Sequence, residues 1–133
     1  MKNVLFLVIA LFGFSSYSCS GDEQGGGDRV AKDIKAEEMV KVLNKEGIII
    51  LDVRTPGETS RGMIPGAVEI DFRGANFEKE VEKLDKSKPV YIYCASGGRS
   101  KSAQEKMSSL GFKETYNLLG GFNNWSAQGL PTK

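Results

Sequence analysis

The sequence predicts an α/β domain, a mostly parallel sheet with helices on both faces. Three observations point there. Two short apolar runs, residues 48–53 (Ile-Ile-Ile-Leu-Asp-Val) and 90–93 (Val-Tyr-Ile-Tyr), are rich in β-branched and aromatic residues, the mark of strands buried on both faces. Segments of helical period separate such runs, so that strands and helices alternate. Glycine and proline stand at the joins, as in Thr55-Pro56-Gly57, Ile64-Pro65-Gly66 and Lys88-Pro89.

The first 19 residues have the build of a secretory signal. Lys2 supplies a positive start, residues 4–14 form an apolar run of 11 that includes one glycine, and residues 15–18 are small or polar apart from Tyr17. A spanning helix needs about 20 apolar residues, so a permanent span is not expected. Ser18 followed by Cys19 resembles a bacterial lipoprotein processing site, although Tyr17 and Ser16 stand where a small and an aliphatic residue are usual. The resemblance implies a lipidated Cys19 and a bacterial cell-envelope protein anchored to a membrane, facing the periplasm or the exterior. Plain secretion to the periplasm is the alternative. Residues 20–28 (SGDEQGGGD) cannot bury apolar surface and read as a flexible tether. One domain is left, residues 29–133.

Within it, Ile34, Met39, Val40, Val42 and Leu43 give residues 33–45 a helical period, with Glu37 and Glu38 in the first turn and Gly47 at the end. The strand at 48–53 follows and is broken by Thr55-Pro56-Gly57. A turn at 64–67 leads into a short strand, 68–70. Residues 76–84 read as a helix with Phe77, Val81 and Leu84 inward. After the strand at 90–93 and a glycine-containing loop, a helix runs over 99–110, capped by Gly111 with Phe112 packed behind it. Residues 115–118 read as a last strand. Gly120-Gly121 then opens a helix that presents Phe122 and Trp125 to the core and is stopped by Gly129 and Pro131.

Composition excludes several chemistries. The chain has 18 basic and 17 acidic residues, and a net charge of +1 gives no electrostatic case for a nucleic-acid partner. It contains no histidine, which removes Cys–His proteases, Ser–His–Asp hydrolases and His-ligated zinc sites. Cys19 and Cys94 are the two cysteines, and no Cys-x-x-Cys pair exists, so neither a thioredoxin-type site nor a Cys-only zinc site is expected. Neither a cofactor nor a metal is implied.

Cys94 is the residue that carries chemistry. It sits between a buried strand and a helix start, and reactive loops of parallel sheets lie at that carboxyl edge. Unpaired backbone N–H groups and the positive end of the helix dipole favour a thiolate there, and Arg99 adds a fixed positive charge. The loop residues Ala95, Ser96, Gly97, Gly98, Arg99 and Ser100 are placed to cradle an anion. Asp52 and Arg54, at the end of the neighbouring strand, read as structural support that ties loops together by charge-assisted hydrogen bonds. Arg61 and Arg73 read as solvated surface charges.

Four segments together make residues 33–133 resemble a single-domain rhodanese, a sulfurtransferase. They are Leu51-Asp52-Val53-Arg54 with Glu58; Gly62-Met63-Ile64-Pro65-Gly66-Ala67; Cys94 to Ser100; and Asn117-Leu118-Leu119-Gly120-Gly121-Phe122 with Trp125 and Gly129-Leu130-Pro131. Met63 stands where the family usually has histidine, and Thr59 where an aromatic residue is common. The resemblance implies a rhodanese-like three-layer domain, monomeric and without a cofactor. In the implied reaction the Cys94 thiolate takes a sulfur from a small donor such as thiosulfate and passes it, as a persulfide, to a thiophilic acceptor such as cyanide or a thiol. A protein acceptor belongs to the same scheme. The alternative is a non-catalytic or redox-sensing module of the same fold that serves a partner protein. Four residues separate Cys94 from Arg99, one fewer than in cysteine phosphatases of related architecture, and the shorter loop suits a single sulfur atom better than a tetrahedral phosphate.

Overall fold

The computed structural model describes residues 27–133; the expected signal segment, Cys19 and the expected tether up to residue 26 lie outside the described residues. Five strands and five helices alternate in the order β1 (Val30–Ile34), α1 (Ala36–Val40), β2 (Ile49–Asp52), α2 (Pro56–Thr59), β3 (Val68–Glu69), α3 (Phe77–Val81), β4 (Val90–Tyr93), α4 (Gly98–Ser109), β5 (Glu114–Leu118) and α5 (Gly121–Ala127). The strands form one sheet in the order β1-β5-β4-β2-β3, and every pairing is parallel.

Alternation along the central strands sends side chains to two cores. Leu51 of β2, and Val90 and Ile92 of β4, meet Phe77 and Val81 of α3 and Ala103 and Met107 of α4 on one face. Ile50 and Tyr93 point the other way, toward Ala36 and Met39 of α1 and Trp125 of α5. The result is a three-layer α/β/α domain of the predicted class. Cys94 continues the β4 alternation onto the α3/α4 face and is 1% exposed.

The structure corrects the sequence reading at its first element. Residues 30–34 are an edge strand, β1, paired in register with β5 from Val30↔Glu114 to Ile34↔Leu118. Of the five residues only Ile34 is buried, so the strand shows no apolar run. The helix expected over 33–45 shrinks to Ala36–Val40, with the Glu38 carboxylate accepting the Lys35 N–H at 2.8 Å at its start. Beyond it the chain tightens into i→i−3 bonds, Val42 N–H to Met39 O and Lys45 N–H to Val42 O.

A second correction concerns Pro56. Thr55-Pro56-Gly57 ends β2, but it also starts α2, with Pro56 inside the first turn and Thr55 as N-cap. Thr59, on this helix, is buried and donates through Oγ1 to Glu69 Oε1 at 2.7 Å. Met63 pairs by its backbone with Lys133 in both directions, at 3.0 Å each way.

Candidate active site

The site forms at the carboxyl edge of β4. Immediately after Tyr93 the chain turns through Cys94–Ala95–Ser96 to Gly97, whose φ of +110° precedes α4. That left-handed turn folds the loop back, so that the Gly97 N–H donates to Cys94 Sγ at 3.1 Å, and Ser100 Oγ, from the first turn of α4, stands 3.4 Å from the same sulfur. Burial raises the thiol pKa; the backbone N–H groups of Ser100, Gly97 and Ser96 lower it, as does the Ser100 hydroxyl when its proton turns to the sulfur, and together they hold Cys94 below the ordinary thiol value. The sulfur is therefore biased toward thiolate without a general base.

The other side of the loop is held by α5. Phe122 and Asn123 donate their N–H groups to the carbonyls of Cys94 and Ala95 at 2.8 and 3.0 Å. Those bonds tether the loop carbonyls to the start of α5. Gly121, with φ of +56°, makes this approach feasible, because a Cβ there would lie 2.5 Å from Cys94 O and 2.6 Å from Ala95 O. The sequence marks Gly121 only as a helix opener, although a second glycine at a helix start is itself a signal of close backbone approach.

Arg99 does not stand free beside the sulfur. Its guanidinium grips Glu58 in a two-pronged ion pair, Nη1 to Oε2 and Nη2 to Oε1, both at 2.7 Å. Glu58 also receives the N–H of Thr55 at 3.0 Å and its hydroxyl at 2.9 Å, so one carboxylate caps α2 and holds Arg99 at the end of the Cys94 loop. Arg99 draws the Glu58 carboxyl well below the usual carboxylate range; partial burial opposes this and the Thr55 bonds assist it. The positive charge expected next to Cys94 is thus largely matched. Asp71 adds a further negative charge near Arg99. Arg61 and Arg73 are both exposed.

Asp52 and Arg54 lie beside Tyr93 and Phe122 in a buried cluster. Arg54 donates through Nε and Nη2 to the Asp52 carboxylate at 2.7–3.1 Å and through Nη2 to Gly62 O at 2.7 Å. Its guanidinium lies 4.0 Å from the centroid of the Phe122 ring. Tyr93 beside it accepts the Ile64 N–H at 3.0 Å, and burial together with the Asp52 carboxylate pushes the Tyr93 phenol strongly upward. Strand β2, the turn at 62–64, the residue before Cys94 and α5 are joined in this way.

Fold and loop define a class: an α/β domain presenting one hydrogen-bonded cysteine in an N–H-lined loop at the carboxyl edge of a parallel sheet. Comparison with known proteins places the chain in the rhodanese-like domain family, whose model matches residues 35–128. The chain is 36% identical over 96 residues to the thiosulfate sulfurtransferase GlpE of Coxiella burnetii, a match covering 72% of this chain and 88% of that one. It is 32% identical over 106 residues to the thiosulfate:glutathione sulfurtransferase of Saccharomyces cerevisiae, covering 70% and 76%. The crystal structure of a rhodanese-like domain protein from Staphylococcus aureus superimposes with a TM-score of 0.66 at 32% identity, over 77% of this chain and 98% of that one.

Proposed function

We propose that this protein is a sulfurtransferase that carries sulfur as a persulfide on Cys94. The observation that carries the proposal is a buried sulfur lying on backbone donors, with the Gly97 N–H at 3.1 Å and no histidine anywhere in the chain. Family membership and the names of the two sulfurtransferase relatives support it.

In the first step the Cys94 thiolate attacks the outer sulfur of a donor such as thiosulfate. A Cys94 S–S bond forms, the S–S bond of the donor breaks, and sulfite leaves with the bonding pair. The enzyme holds a persulfide whose terminal sulfur is anionic. The loop N–H groups of Ala95 to Ser100 stabilise that charge, and each such donor is worth about 3 kcal/mol in an anion-binding site. In the second step an acceptor such as cyanide or a thiolate attacks the terminal sulfur, taking it as thiocyanate or a new persulfide and returning the Cys94 thiolate. Asp52 and Arg54 hold the cluster beside Tyr93, the residue before Cys94. Cys19, lipidated and left as the new N-terminus, anchors the domain to an envelope membrane through the tether at 20–28.

The test is thiocyanate formation from thiosulfate and cyanide by the full chain and by Cys94→Ser, with intact-mass measurement after donor exposure. Turnover and a gain of one sulfur atom in the wild type, both absent in the variant, is the expected result. A folded wild-type protein showing neither would refute the proposal and turn attention to a module that serves a partner protein.

A further inference from the structure

A chain of hydrogen bonds leads from the domain surface to the sulfur. Asp33 of β1 and Asn117 of β5 are register partners in the sheet. Asn117 Nδ2 lies 3.1 Å from Asp33 Oδ1, and Lys101 Nζ reaches the same oxygen at 3.5 Å. A carboxylate only accepts hydrogen bonds, so the amide nitrogen of Asn117 must face Asp33 and its oxygen must face inward. That oxygen lies 2.6 Å from Ser100 Oγ.

Ser100 has one hydroxyl proton and three acceptors around it: Asn117 Oδ1 at 2.6 Å, Gly97 O at 3.1 Å and Cys94 Sγ at 3.4 Å. Both Ser100 and Asn117 are buried, at 0% and 3% exposure. The closest acceptor is also the one whose orientation Asp33 dictates. With the proton on Asn117, the hydroxyl presents lone pairs to the sulfur and suits a thiol. To serve a thiolate it must turn, leaving Asn117 Oδ1 as a buried acceptor without a partner, which is costly.

We propose that Asp33 and Asn117 are positioning residues that hold the Ser100 proton away from Cys94, so that the thiolate rests on the backbone donors and keeps more nucleophilic character than the loop alone would leave it. Thiolates of higher basicity attack sulfur faster, which gives the device a use in loading sulfur from a donor. The rate argument rests on the sulfurtransferase proposal, but the hydrogen-bond chain does not. Other charges facing these groups are the Arg99 guanidinium, paired to Glu58 on the sulfur side with Asp71 nearby, and Lys101 on Asp33.

The experiment follows Cys94 alkylation by iodoacetamide against pH in the full chain, with Cys94 resolved from Cys19 by peptide mass. Asp33→Ala frees the Asn117 amide to flip and point Nδ2 at Ser100, which drives the hydroxyl proton onto the sulfur. The midpoint is expected to fall by about half a pH unit or more, the equivalent of one ordinary hydrogen bond. Removing a carboxylate also favours thiolate through space, so the same substitution is made in Ser100→Ala. There the shift is expected to vanish, because no hydroxyl remains to redirect. Asp33→Leu, of similar size and with no hydrogen-bond acceptor, provides a second variant should Asp33→Ala fail to fold, and its shift should likewise depend on Ser100. No shift, an upward shift, or an equal shift with and without the Ser100 hydroxyl would overturn the proposal. Because alkylation reports thiolate whatever the natural donor, this result stands apart from the thiocyanate assay.

Discussion

Gly121→Ala separates a loop held by α5 from a loop that merely lies beside it. Two penalties combine at this position. The backbone is left-handed, with φ of +56°, which costs an alanine about 1–2 kcal/mol. The new methyl would also lie 2.5 Å from Cys94 O and 2.6 Å from Ala95 O, both backbone atoms, and overpacking of that kind adds about 1–3 kcal/mol. Gly129→Ala is the matched control, since Gly129 has φ of +68° with nothing within 4 Å of an added Cβ, so it carries only the first penalty. For a domain of this size 1 kcal/mol lowers Tm by about 4–8 °C, so Gly121→Ala should melt roughly 4 °C or more below Gly129→Ala. The loop carbonyls must also swing off the N–H groups of Phe122 and Asn123, which disturbs the donors around the sulfur. Alkylation of Cys94 at neutral pH should slow about tenfold, the equivalent of about 1.4 kcal/mol. Thermal unfolding and alkylation rates of the two variants decide the matter. Equal melting temperatures together with a wild-type alkylation rate in Gly121→Ala would refute the tethering of the loop to α5.

Two further predictions concern the anchor residues. Arg99 pulls the Glu58 carboxyl below its ordinary value of 4.5, so the ion pair contributes stability above that pH and loses it as pH falls toward the lowered value. Discounted for partial exposure, the contribution is about 1 kcal/mol; wild type should therefore outlast Glu58→Gln at neutral pH, and the gap in Tm should close below pH 4.5. Cys19→Ala should move the protein from the membrane fraction to the soluble fraction while leaving thiocyanate formation intact. Continued membrane association of that variant would remove the lipid anchor from the proposal.

What the sequence shows well is what lies close together along it. The run from Val90 to Ser100 contains strand, loop and helix start within eleven residues, so Cys94 and its Gly97 donor are legible without a structure. Asp52 and Arg54 are two residues apart and bond to each other directly. Edge strand β1 is not legible, because its residues are mostly exposed and its partner, β5, lies some eighty positions away. The Glu58–Arg99 pair spans 41 positions and carries no spacing signal, and it offsets the positive charge that the sequence places beside Cys94. Asn117 leaves a trace: a polar residue inside the strand Thr-Tyr-Asn-Leu is buried only when its amide is satisfied on both sides.

The matched charge of Arg99 decides which force activates the sulfur, and salt can read it. A free guanidinium near Cys94 would act over a distance, and its effect would fade as the screening length falls from about 30 Å at 0.01 M to about 3 Å at 1 M salt. Backbone donors act at contact, with the Gly97 N–H 3.1 Å from Sγ, and no salt reaches between them at 1% exposure. In the wild type the Glu58 carboxylate sits on Arg99 at 2.7 Å, and the pair presents a dipole in place of a charge. The midpoint of Cys94 alkylation should therefore move by less than about 0.3 pH units across that range of salt. Glu58→Gln keeps a side chain able to cap α2 but unmasks Arg99. In that variant the midpoint should drop at low salt and climb back as salt is added. A wild-type midpoint that itself climbs by about one pH unit, worth about 1.4 kcal/mol, would mean that the charge of Arg99 holds the thiolate and the backbone cradle comes second.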